Sequence, residues 1–289
     1  VKKILAVVLM LSVLAGTAAC GKKPPAFTPD TYPRVDGSTV TLPLSIDLAA
    51  ILLGISREDA QDFIVHNKTH PAYLNLLEGN ADIILVTEPS GEELALAESM
   101  GIELEIVPVV RDAFVFVLNK KNPVDSLTET QIREIYQGKI TNWKEVGGED
   151  KEIIAYQRPK NSGSQTLMEN LVMQGLTMAE PPMEHIPAGM GDLIERVAGF
   201  DNSDQALGYS VYYYANSMYI RESMKFLAVN GILPLRETIA AKTYPFTISY
   251  YAVLRKSEPK DSAARKYLNY ILSDNGQKLA VSSGYVPLR

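Results

Sequence analysis

The stretch that decides the reading is Gln157-Arg158-Pro159-Lys160-Asn161-Ser162-Gly163-Ser164-Gln165-Thr166. An arginine stands four residues before Ser-Gly-Ser, and a helix-like run, Leu167 to Val172, follows at once. The first N–H groups of a helix lack intrahelical acceptors and point outward, which suits an anion. Gly163 has no Cβ, so its backbone can come close to a ligand. Ser162 and Ser164 offer hydroxyl donors. Arg158 offers a two-pronged, charge-assisted grip on a tetrahedral oxyanion. The same residues also fit an ordinary helix cap at Ser162 or Ser164 with Arg158 in a surface ion pair. The rest of the chain has to decide between the two.

Moving towards the N-terminus, Tyr32 to Val40 reads as a short strand ending in Gly37-Ser38-Thr39, with a helix over Leu42 to Leu53. This is a second strand-to-helix corner with small hydroxyl residues, an anion cradle or an N-cap. Asp62 to His66 reads as a strand, and Asn67-Lys68-Thr69-His70-Pro71 leads into a helix ending at Gly79-Asn80. Ala81 to Val86 is a buried-type strand followed by Thr87-Glu88-Pro89-Ser90; a helix over Glu92 to Met100 and a strand over Glu103 to Val110 come next. Strands alternating with helices predict a mostly parallel α/β sheet, in which ligands sit at the carboxyl ends of strands. Ser38, Thr39, Thr69 and Thr87 all fall there.

Phe114 to Leu118 and Phe246 to Leu254 are the two long apolar strands. Between them, Thr128 to Gln131 opens a helix with capping-box chemistry that runs to Tyr136, and Ile153 to Tyr156 is the strand that delivers Arg158. Gly191 to Val197 reads as a helix, and Ala206 to Ser210 and Met224 to Val229 read as strands. Trp143, the only tryptophan, is read as a packing anchor. The run Tyr212-Tyr213-Tyr214 fits either a cleft lining or interior packing. Two C-terminal helices, Ser262 to Ser273 and Gly276 to Ser282, complete the chain.

The chain has 289 residues, enough for two domains, and a net charge of −6. The acidic balance argues against nucleic acid as a partner. It leaves a small anion open, because that depends on local donors. Residues 1–19 read as a signal peptide: Lys2 and Lys3, then an apolar run Ile4 to Leu14, then small residues up to Cys20. Cys20 is the single cysteine, so an intramolecular disulfide is excluded. Residues 20–31, rich in Lys, Pro and Thr, read as an extended tether, with the folded part beginning near Tyr32. No HExxH, Cys–His cluster or calcium loop is present, so no metal and no cofactor is expected. A serine hydrolase or phosphatase using Ser162 or Ser164 would need a base; of His66, His70 and His185, only His70 lies beside a proposed contact.

Taken together, Asp36-Gly37-Ser38-Thr39, the segment Tyr136-Gln137-Gly138-Lys139-Ile140-Thr141-Asn142-Trp143, Arg158…Ser162-Gly163-Ser164 and Ala206-Leu207-Gly208-Tyr209 resemble the phosphate-binding lipoproteins of ABC phosphate importers. These form a PstS-like group with the periplasmic-binding-protein fold. The resemblance implies a type II, two-lobed α/β fold with two crossover strands as hinge, Phe114 to Leu118 and Phe246 to Leu254. Lobe I would comprise 32–112 plus 245–289, and lobe II 113–244. It implies no catalytic residue. Inorganic phosphate would be held by Ser38, Thr39 and the Val40 N–H, by Thr69, and from the other lobe by Arg158, Ser162, Gly163 and Ser164. Thr87 stands where the family often has an aspartate that accepts the proton of monohydrogen phosphate, and Glu88 takes that role if the turn is shifted by one. Thr17-Ala18-Ala19-Cys20 resembles a lipobox, which implies lipidation of Cys20, an extracytoplasmic address on the bacterial membrane and a permease as partner. Other oxyanions (sulfate, molybdate, tungstate) and a sensor role remain open to the same fold.

Overall fold

The structure is a computed structural model that describes residues 26–199 and 203–288. The signal peptide and Cys20 lie outside the described residues. The strands are β1 (Val35–Gly37), β2 (Ile83–Val86), β3 (Leu104–Asn119), β4 (Ser126–Leu127), β5 (Ile154–Ala155), β6 (Ala206–Val211), β7 (Met224–Phe226), β8 (Ala228–Val229) and β9 (Thr247–Arg255). The α-helices are α1 (Leu42–Leu53), α2 (Arg57–Phe63), α3 (Thr69–Leu77), α4 (Gly91–Ser99), α5 (Glu129–Tyr136), α6 (Gly163–Leu167), α7 (Met190–Gly199), α8 (Arg236–Ala240), α9 (Ala263–Leu272) and α10 (Asp274–Ser282).

Seven strands form one sheet in the order β1-β2-β9-β3-β6-β5, with β7 also paired to β3. The spine is the antiparallel pair β3–β9. At Ala113–Phe114, β3 leaves β9 and becomes the partner of β6. The returning chain crosses at the same level, where the Phe114 N–H donates to the Phe246 carbonyl (2.9 Å). The sheet is therefore two halves joined by two adjacent crossings, with helices on both. The parallel pairs β1–β2 and β5–β6 lie outside this spine, and the pairs β2–β9, β3–β9, β3–β6 and β3–β7 are antiparallel. The sheet is thus mixed, where the sequence reading expected it mostly parallel. Long strands that pass between two half-sheets have to run against their neighbours.

The expected strands Glu103–Val110 and Phe114–Leu118 are one strand, because Arg111-Asp112-Ala113 does not break it. The buried Asp112 carboxylate accepts the Ala113 N–H (2.8 Å) and the Tyr213 N–H (3.1 Å), which satisfies it inside the sheet. The register shifts between Pro108 and Val110, as expected where proline removes a ladder donor. No strand forms over Asp62–His66: Asp62 and Phe63 end α2, which Ser56 caps by accepting the Asp59 N–H (3.0 Å), and Ile64-Val65-His66 is irregular, with Ile64 buried. Such a cap contributes about 1 kcal/mol. The fold also begins earlier than Tyr32. Phe27 is buried, donates its N–H to the Leu52 carbonyl (3.1 Å) and meets Tyr32 edge-on (5.6 Å). Trp143 is buried, with Nε1–H on the Gln205 carbonyl (2.9 Å). Of the tyrosine run, Tyr213 stacks on Tyr285 (4.0 Å) and Tyr214 on Tyr219 (5.7 Å), a packing role.

Candidate functional site

A cavity of about 240 Å³ opens between the two half-sheets. From one side it is lined by Ser38, Thr39 and Val40 after β1, by Thr69 at the start of α3, and by Thr87 after β2; from the other by Arg158, Ser162, Gly163 and Ser164. Nine of the ten proposed contacts meet there. Glu88 does not: it is exposed, lines a separate cavity, and accepts the Tyr251 hydroxyl (2.9 Å).

The first corner is built on buried Asp36. Its carboxylate accepts the N–H groups of Gly37 (2.6 Å) and Asn67 (2.7 Å) and the amides of Asn67 (2.9 Å) and Asn75 (2.7 Å). This ties the loop before α3 to the end of β1. A Cβ on Gly37 would lie 2.4 Å from the Leu85 carbonyl oxygen, so only glycine allows β1 to sit this close. Ser38 donates its N–H to the same carbonyl (2.9 Å), and its own carbonyl accepts His66 Nδ1–H (2.9 Å). That bond fixes the His66 tautomer, and burial pulls the imidazole pKa down from its ordinary value. The N–H groups of Thr39 and Val40 begin the turn that leads into α1, where intrahelical acceptors are lacking.

The second corner carries Thr69 and Thr87. Tyr73 donates its hydroxyl to the Thr87 carbonyl (2.8 Å). The Thr87 hydroxyl is buried without a hydrogen-bond partner. Beside Thr69, His70 donates Nδ1–H to buried Glu93 (2.8 Å), whose other oxygen accepts the Ser90 N–H (2.8 Å).

Across the cleft, Arg158 is 8% exposed. Its backbone N–H donates to Gln165 Oε1 (3.1 Å) and the Tyr209 hydroxyl (2.9 Å), and Tyr209 donates to the same Gln165 oxygen. Its guanidinium donates Nε–H to the Pro187 carbonyl (3.1 Å) and Nη2–H to the Ala188 carbonyl (3.0 Å), and Nη1 lies 3.5 Å from Ser164 Oγ. No carboxylate forms an ion pair with it among the described residues. The surface ion pair that the sequence left open is thus absent. Burial pulls the guanidinium pKa down from its ordinary value, though arginine stays charged. The result is a buried cation held by two neutral carbonyls, with Nη1 on no more than the long contact to the Ser164 hydroxyl, at a site rich in hydroxyls. An anion supplies what this arrangement lacks.

Ser162 is the N-cap of α6, accepting the Gln165 N–H (3.3 Å), so the capping reading holds for this serine as well. A Cβ on Gly163 would lie 2.6 Å from Thr69 Oγ1 and 2.7 Å from Thr87 Oγ1, so the two halves meet here with no room for a side chain. At the rim, Lys160 and Asn161 both bond Glu92 across the cleft. The carbonyls of Pro187 and Ala188 and the ring of Tyr250 were not read from the sequence. The one signal for the first pair was Gly189-Met190-Gly191-Asp192, an N-terminal helix start in which the Gly189 N–H donates to Asp192 Oδ2 (2.9 Å). Neither serine has a histidine bonded to it among the described residues: His70 is taken by Glu93, His66 by Ser38, and His185 packs on Tyr156 (5.4 Å).

The profile described as PBP superfamily domain matches residues 28–275. The chain belongs to this superfamily. The Phosphate-binding protein PstS of Bacillus subtilis is 23% identical over 99% of the chain and 92% of its own length. That of Borreliella burgdorferi is 24% identical over 62% of the chain, and the match spans 64% of that protein's length. Among solved structures, an ABC-type phosphate transport receptor from Vibrio cholerae aligns with a TM-score of 0.65 at 23% identity, covering 87% of this chain and 98% of that one. The architecture is therefore that of a two-lobed periplasmic-binding-protein-like superfamily member.

Proposed function

We propose that the chain captures inorganic phosphate between its two lobes and delivers it to an ABC importer. The observation that carries this reading is Arg158, a buried cation lining the cleft with no carboxylate in ion-pair contact among the described residues. Lobe I is 32–112 plus 245–289, extended by the Phe27 segment, and lobe II is 113–244, with the boundary at the paired crossings Ala113–Phe114 and Phe246–Thr247. Ser38, the N–H groups of Thr39 and Val40, Thr69 and Thr87 present donors from lobe I. Arg158, Ser162, Gly163 and Ser164 close on the anion from lobe II. Closure turns occupancy into a shape that a permease can read. Cys20 carries the lipid that holds the protein outside the cytoplasm on the membrane. The role is binding, with no catalytic residue and no cofactor.

The test is isothermal titration calorimetry of the chain, stripped of ligand by unfolding and refolding, with phosphate. Saturable binding of one phosphate per chain is expected. Absence of heat at millimolar phosphate contradicts the proposal.

A further inference from the structure

Among the described residues that line the cleft, there is neither aspartate nor glutamate. Each nearby carboxylate is engaged elsewhere: Glu88 by Tyr251, Glu93 by His70 and Ser90, Glu92 by Lys160 and Asn161, Asp36 by Asn67 and Asn75, and Asp192 by Gly189. Thr87 lines the same cavity as Arg158 and lies against Gly163, and its hydroxyl is buried and unpartnered while its carbonyl is fixed by Tyr73.

These facts bear on which anion the cleft accepts. A carboxylate beside a bound oxyanion repels a fully ionised one and accepts a hydrogen bond from a protonated one. A hydroxyl carries no charge and turns to either role, donating to an ionised oxygen or accepting from P–OH. A site with hydroxyls, N–H groups and one arginine therefore reads divalent charge and tetrahedral shape, and leaves protonation unread.

We propose that the cleft accepts divalent tetrahedral oxyanions as a class, sulfate alongside phosphate, and that Thr87 is the residue that sets this breadth. The inference rests on the oxyanion reading of the cleft given above.

The test is titration of the ligand-stripped chain with phosphate and with sulfate at pH 7.5 and constant ionic strength. The two dissociation constants are expected to agree within about tenfold. Thr87→Asp is expected to weaken both anions but sulfate far more, raising the ratio of the sulfate to the phosphate dissociation constant by about 100-fold or more, since only phosphate brings a proton for the new carboxylate. Thr87→Ser, which keeps the hydroxyl, retains sulfate binding and guards against misreading a folding defect of the aspartate variant. Tight phosphate binding with sulfate rejected by the unaltered chain overturns the inference and leaves the phosphate reading standing. Failure of both anions to bind overturns the two together.

Discussion

Gly163 approaches Thr69 so closely that a Cβ on the glycine would sit 2.6 Å from the threonine hydroxyl. The contact joins the Ser-Gly-Ser corner of one half of the molecule to the first turn of α3 in the other. Gly163→Ala should therefore hold the lobes apart. Overpacking of this kind costs about 1–3 kcal/mol, or roughly 5- to 150-fold in affinity. Phosphate titration against the glycine parent checks it; thermal unfolding should be nearly unchanged, since the strain is relieved by opening.

Among the described residues, Arg158 is a buried cation that lines the cleft without an ion-pair partner. Hydrogen bonds to charged groups contribute about 1.5–3 kcal/mol each. Arg158→Ala should lose at least about 100-fold in phosphate affinity. Arg158→Lys should not restore it, because a single ammonium cannot reach the Pro187 and Ala188 carbonyls and the anion together. Calorimetry on both variants separates charge from geometry.

Glu88 is bonded to Tyr251 away from the cleft. Glu88→Gln should leave phosphate affinity unchanged within about twofold and stability unchanged within about 0.5 kcal/mol. A large loss of affinity would mean that the turn after β2 is shifted and Glu88 enters the site.

Asp112 lies beside the crossing of β3, fully inside the protein, and burial pushes its carboxyl up to about 7. In the folded protein it keeps its proton up to that pH, whereas in the unfolded chain it loses it near the ordinary value of about 3.9. Its contribution to stability is thus fully present below the ordinary value and is lost as pH rises through 7. Asp112→Asn preserves an acceptor for the Ala113 and Tyr213 N–H groups. The melting temperature of the parent should fall from pH 5.5 to pH 8.5 more than that of the variant. Equal slopes would show that the carboxyl is ionised throughout.

Much of the fold and of the site was legible because local chemistry and tertiary structure agree. Leu42–Leu53, Thr128 with Gln131, and the Arg158…Ser162-Gly163-Ser164 corner each carry their own signal in neighbouring residues. The misreadings share a different cause. Arg111-Asp112-Ala113 looks like a break because an aspartate is costly in a strand, and the distant Tyr213 N–H, which joins the neighbouring Ala113 N–H on the carboxyl group, is not visible in the local sequence. Asp62–His66 looks extended, but the helix capped at Ser56, with Ala60 buried, runs through Asp62 and Phe63, and Ile64 to His66 is irregular. Glu88 was a candidate on counting alone, and its partner Tyr251 lies 163 residues away in the chain. The carbonyls that hold Arg158 are backbone groups, which sequence does not distinguish from any others.

The central claim is that Arg158 and the two threonine corners form one anion site. A crystal structure of the protein grown with phosphate tests it most directly. One phosphate is expected in the cleft, within hydrogen-bond distance of the Arg158 guanidinium, the Thr87 hydroxyl and the Val40 N–H, with Glu88 still on Tyr251. A phosphate bound elsewhere, or a cleft in which Arg158 turns away to a carboxylate, would contradict the account.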